Sequence, residues 1–194
     1  MLGYRYWTFY RRGGTSCINT CRNGKTPGVD GIDAEMLKVD PELAAGYLCT
    51  LFEHIRENMK VPDDWKKAMI VKVTKKGVLS KCDNFRGISL LSVPSKVLGR
   101  VVIERIKEGI DVKLRCEQAG FREGRGTIEQ VFIVRKIIEQ SIEWQAPLYI
   151  NFVDFTKAFD SLDRSRLRKI LRHYGIPSEL VDLIRAMYEL RQLL

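Results

Sequence analysis

The sequence predicts an α+β fold, and three observations carry that expectation. Apolar residues recur at helical spacing in several long stretches, shorter β-branched stretches between them read as extended, and the two kinds interleave without the strand-helix-strand rhythm of a doubly wound sheet. At 194 residues the chain suits one domain or a domain and a half, and 45% hydrophobic content is ample for a core.

Residues 1–23 mix aromatic, basic and Gly-rich stretches without a clear period and read as a loosely ordered lead-in. "GKTPGVDGI", residues 24–32, concentrates Gly and Pro into a turn-rich loop. Asp40 before Pro41 gives an N-cap and first-turn signal for a helix to about Met59, with Ala44, Leu48, Leu51, Phe52, Ile55 and Met59 on one face. Asp63 and Asp64 then read as a helix-initiating loop. "AMIVKVTKKG", 68–77, is a short strand closed by a basic turn, and "FRGISLLS", 85–92, a second extended piece, with Lys75, Lys76 and Lys81 in the loop between. Ser95 opens a helix burying Leu98, Val101, Val102 and Ile106. Thr127 with Gln130 reads as a capping box for a helix that carries Val131, Val134, Ile138 and Ile142. A strand follows from about Leu148 to Phe155. Asp163 then caps a basic helix that Gly175 closes, and Ser178 caps a last helix through Leu180, Leu183, Ile184 and Met187.

Lys plus Arg outnumber Asp plus Glu by 33 to 24, and the net charge of +9 favours a polyanionic partner such as nucleic acid or nucleotide. The densest cluster, "RSRLRKILR", threads Leu167, Ile170 and Leu171 through its cations, so a solvated helix face and a phosphate-contacting face both suit it. Cys17, Cys21, Cys49, Cys82 and Cys116 form an odd, irregular set, which argues for reduced thiols over a secreted disulfide framework. Neither a membrane-length apolar run nor the charged-then-apolar order of a signal peptide is present, so the expected location is intracellular, nuclear or cytoplasmic.

One residue does not suit its surroundings. In "NFVDFTKAFDSLDR", 151–164, Asp154 lies among Phe152, Val153 and Phe155, where a buried strand is expected. An unpaired carboxylate in such a place costs several kcal/mol, so either the strand ends there or Asp154 meets a cation.

The order of these pieces resembles the reverse transcriptases of non-LTR (LINE-like) retrotransposons. The resemblance runs from about residue 24 to 194 through "GKTPGVDGIDAEMLK", "VPDDWKKAMIVKVTKKG", "NFRGISLLSVPSKVLGRVVIERI", "EQAGFREGRGTIEQVF" and "VDFTKAFDSLDRSRLRKILRHYGIP". The chain departs from the family at Gly87, where Pro is usual, and at Val73 and Thr74, where Ile-Pro is usual. "TPGVDG" would also suit a group II intron-type enzyme, while "KAFD" leans to the LINE-like branch.

The resemblance implies the fingers (24–125) and the first part of the palm (126–194) of a right-hand polymerase, incomplete. It implies an RNA template, a DNA primer, dNTPs and magnesium, with no obligate protein partner evident. By the same resemblance Asp154 is the first metal-binding carboxylate, the Phe155 carbonyl a second donor, Phe159 the aromatic sugar gate, and Asp160 a structural neighbour. Lys75 and Arg86 match positions near the incoming triphosphate, and Gln118, Gly120, Phe121 and Arg122 the motif that touches template and nucleotide. The family's Tyr-x-Asp-Asp turn does not occur in these 194 residues. The expectation is therefore a partial RNA-directed DNA polymerase domain, inactive alone, with a non-catalytic RNA- or DNA-binding remnant as the alternative. A palm sheet without its partner strands would also leave an apolar face uncovered, so poor solubility or partial unfolding is expected.

Overall fold

The computed structural model describes residues 10–75, 80, 84–156, 158–159, 161–188 and 192–193; Lys76, Lys81, Cys82 and Asp160 lie outside the described residues. Seven helices and three strands run in the order α1 (Tyr10–Asn19), α2 (Ala34–Val39), α3 (Pro41–Asn58), β1 (Lys67–Thr74), β2 (Phe85–Leu90), α4 (Val93–Asp111), α5 (Thr127–Glu143), α6 (Arg164–His173), α7 (Ser178–Tyr188) and β3 (Gln192–Leu193) among the described residues. This is the mixed helix-and-sheet composition that the sequence predicts.

The core is helical. Ile18, Ala45, Phe52, Ile55, Val97, Leu98 and Leu183 are buried together, so α1, α3, α4 and α7 share one apolar cluster, closed by Val61 and Trp65. A smaller cluster of Leu171, Ile176, Leu180 and Val181 ties α6 to α7 and takes Ile106 and Ile110 from the end of α4. The apolar stripes expected on α3, α4 and α7 face these clusters.

The loose lead-in is corrected for residues 10–23. Gly13 and Gly14 interrupt any period in the sequence, yet they lie in α1, where a Cβ added to Gly14 would lie 3.4 Å from the Ala45 Cβ. Small residues let the two helices close, and that packing outweighs the poor helix propensity of glycine. Asp33, whose side chain accepts from the Met36 N–H at 2.7 Å, caps the short α2, the helix that follows the loop of residues 24–32.

Caps explain the other boundaries. Asp40 accepts from the Leu43 N–H at 2.9 Å, and Asp163 from Ser165 and Arg166, as expected. α4 starts earlier than Ser95, because the buried Ser92 takes the N-cap and accepts from the Ser95 N–H at 3.3 Å. The Thr127–Gln130 capping box does not form: Gly126 occupies the N-cap of α5 and has no side chain to offer. Gly175, at φ +81°, ends α6 in the left-handed conformation.

β1 and β2 form an antiparallel hairpin in register from Met69 opposite Leu90 to Thr74 opposite Phe85, and β3 adds to β1 in parallel, giving the order β2-β1-β3. A Cβ at Gly87 would stand 3.1 Å from the Ile70 Cγ2, a tight contact in which that side chain would have to give way.

The strand expected from Leu148 to Phe155 does not form. Residues 146–155 carry no regular secondary structure and no described strand runs beside them; Tyr149, Phe152, Val153 and Phe155 are exposed. An extended segment acquires ladder hydrogen bonds only from a neighbour. α5 is likewise unpartnered: none of its residues is buried, and Val131, Ile138 and Ile142 face solvent instead of a core.

Candidate nucleic-acid interface

β1 and β2 place the first pair of side chains that the sequence singles out, Lys75 and Arg86. The Lys75 N–H donates to the Asn84 carbonyl at 2.7 Å, which extends the ladder one step past Thr74. Val73 pairs with Arg86, and side chains alternate faces, so Lys75 and Arg86 project from one face as diagonal neighbours. Two cations on one face of a hairpin suit a polyphosphate better than a single carboxylate.

The turn region after α4 places the second group. Gln118, Gly120, Phe121 and Arg122 sit between α4 and α5. Phe121 is at φ +60° and 97% exposed. Its ring meets Phe159 edge-on, with centroids 6.0 Å apart and planes at 89°, and Phe159 is also largely exposed. Two motifs distant in sequence thus combine into one solvent-facing aromatic surface. A Cβ at Gly120 would meet nothing within 4 Å, so no packing among the described residues requires glycine there.

Arg122 points elsewhere. Its side chain is only 7% exposed and grips Asp111 through both carboxylate oxygens, Nε to Oδ1 at 2.7 Å and Nη2 to Oδ2 at 3.0 Å. It also donates to the carbonyls of Arg115 at 2.9 Å and Gln118 at 3.2 Å. The sequence reading missed Asp111. A signal existed: a carboxylate on the last residue of a helix opposes the macrodipole and calls for a cation.

That hydrogen-bonded pairing with Arg122 holds the Asp111 carboxyl below its ordinary range. A depressed folded-state pKa means the pairing stabilises above the ordinary carboxylate value, about pH 4, and is lost as pH falls through the folded value. Melting between pH 5 and pH 3 is therefore expected to soften the native chain more than Asp111→Ala; equal losses would refute the pairing's role.

Asp154 and Phe155 lie exposed in the irregular segment before α6. The misfit carboxylate is thus resolved by solvent and not by burial against a cation. A two-ion magnesium site needs several oxygen donors. Among the described residues no group of three or more His, Cys, Asp or Glu could hold a metal ion, so the donor set present does not fit such a site.

On the basic helix, most cations are committed. Arg164 donates to the Tyr188 carbonyl and lies over its ring, Arg166 pairs with Asp163, and Arg172 with Asp182. Among the described residues no helix is long and apolar enough to cross a membrane.

A family profile described as reverse transcriptase (RNA-dependent DNA polymerase) matches residues 73–193. The chain is 30% identical over 176 residues to a probable RNA-directed DNA polymerase from transposon BS of Drosophila melanogaster, 86% of this chain and 19% of that protein. It is 29% identical to the RNA-directed DNA polymerase from mobile element jockey of Drosophila funebris, over 90% of this chain and 19% of the relative. Similarity to the transposon TX1 149 kDa protein of Xenopus laevis is 26%, over 86% of this chain and 13% of the relative. The chain therefore spans about a fifth or less of the curated relatives it matches.

Proposed function

Because the chain belongs to the reverse transcriptase family, in its non-LTR retrotransposon branch, we propose that it forms the fingers and first part of the palm and grips single-stranded RNA without polymerising by itself. The observation that supports this reading best is the exposed Phe121–Phe159 pair. Aromatic rings in solvent on a chain of charge +9 suit bases stacked over a phosphate backbone held by cations. Lys75 and Arg86, on their shared hairpin face, would take the phosphates of an incoming nucleotide. Phe159 would lie under its sugar, and Gln118 and Gly120 against the template. Reverse transcriptases as a class use divalent metal; Asp154 and the Phe155 carbonyl are the groups here that would contribute to its coordination, and by themselves they do not complete a site.

Fluorescence anisotropy with single-stranded RNA tests the binding, and primer extension with an RNA template, dNTPs and magnesium tests the chemistry. Expected are binding that weakens as salt rises, with a slope of about 0.7 per phosphate contacted, and no incorporation of dNTP. Salt-insensitive binding or none overturns the first part; template-dependent incorporation overturns the second.

Gly120→Ala is expected to leave the melting temperature unchanged or slightly raised, since the space is open and the unfolded chain loses freedom. Its RNA affinity should fall severalfold, because a Cβ holds the nucleic acid off the backbone. Unchanged affinity removes Gly120 from the interface.

A further inference from the structure

Resting on the RNA-binding reading above, we propose that Asp111 is a positioning residue: through Arg122 it holds the loop after α4 so that Phe121 stands clear of the protein as a stacking surface for a base. Phe121 is a bulky residue in the left-handed backbone region, a conformation that persists only where the surroundings impose it. Its own ring does not impose it, since that ring is almost wholly in solvent and touches Phe159 only edge-on. The constraint comes from the next residue.

The Arg122 guanidinium is drawn inward and joins three points of the chain. It takes the Asp111 carboxylate in a two-pronged grip, the Arg115 carbonyl, and the Gln118 carbonyl, so both ends of the segment preceding Phe121 are tied to one rigid, planar group. Arg125 adds a second stitch, Nη1 to the Cys116 carbonyl at 2.8 Å. The anchor belongs to a packed helix: Asp111 ends α4, whose Val93, Val97, Leu98, Val101 and Val102 are buried in the core and whose Ile106 and Ile110 pack partly against the second cluster, and the cation complements the negative end of that helix. With its donors engaged in this way, Arg122 acts as an internal clamp and makes no phosphate contact, a role opposite to the one its motif implies. A ring presented rigidly loses little entropy on stacking, so disordering the loop weakens binding even though the ring is still present.

The test uses the whole 194-residue chain and a fluorescent single-stranded oligouridylate RNA across a salt series. Phe121→Ala should weaken binding about fivefold or more, the loss of one stacked base. Asp111→Ala and Arg122→Gln should weaken it comparably, with the salt slope unchanged. In the Phe121→Ala background, Asp111→Ala should add nothing.

If Phe121→Ala binds like the native chain, the stacking reading itself fails. If Phe121→Ala weakens binding and Asp111→Ala does not, the reading survives and the positioning role is overturned. An undiminished Asp111→Ala effect in the double variant also overturns it, as does a slope that falls by about 0.7 in Arg122→Gln, the mark of a lost phosphate contact. Should Asp111→Ala not fold, Asp111→Asn keeps the size and one acceptor and is read the same way.

Discussion

Gly28→Ala is expected to destabilise the chain by about 1–3 kcal/mol, the usual cost of forcing an extra carbon into a filled space. A Cβ at Gly28 would stand 2.5 Å from the Ser92 nitrogen and 2.8 Å from the Leu91 carbonyl carbon. Both are backbone atoms, and neither can rotate aside as a side chain tip would. Ser92 is also the N-cap of α4 and is buried, so displacing it disturbs the cap as well as the packing. Gly28 therefore fastens the Gly- and Pro-rich loop to the junction between β2 and α4. Urea denaturation read by circular dichroism measures the effect; an unchanged midpoint would mean that the loop is free to shift.

Phe52→Ala is expected to cost about 3–5 kcal/mol, whereas Phe132→Ala should change stability by no more than about 0.5 kcal/mol. Phe52 is 2% exposed in the middle of α3 and meets the Trp65 ring edge-on at 6.3 Å. Phe132 belongs to α5, a helix with comparable apolar content and no buried residue. The pair of variants separates the helices that make the core from the helix that does not. A Phe132→Ala loss as large as that of Phe52→Ala would mean that α5 is packed against something in solution.

That contrast also marks where sequence reading succeeds. The stripes on α3, α4 and α7 and the caps at Asp40 and Asp163 were legible because each is a local pattern that the core then uses. The stripe on α5 was equally legible as a helix, and the helix forms, but a stripe says only that a face can be buried. Residues 148–155 read as a strand for the same reason and stay irregular, because strand pairing depends on a neighbour far along the chain. α1 was illegible, since Gly13 and Gly14 are poor helix formers, and the value of Gly14 appears only beside Ala45.

For the candidate site, the sequence by itself determined the motifs, and with them the family, because residue type and order are local information. Lys75, Arg86, Phe121, Asp154 and Phe159 could all be named that way. Only the tertiary structure decided what stands next to what. It set Phe121 against Phe159, put Lys75 and Arg86 on one face of a hairpin, and turned Arg122 inward onto Asp111. The physical reason is that a side chain's partner depends on how the backbone returns upon itself, and a guanidinium goes wherever its donors are best satisfied.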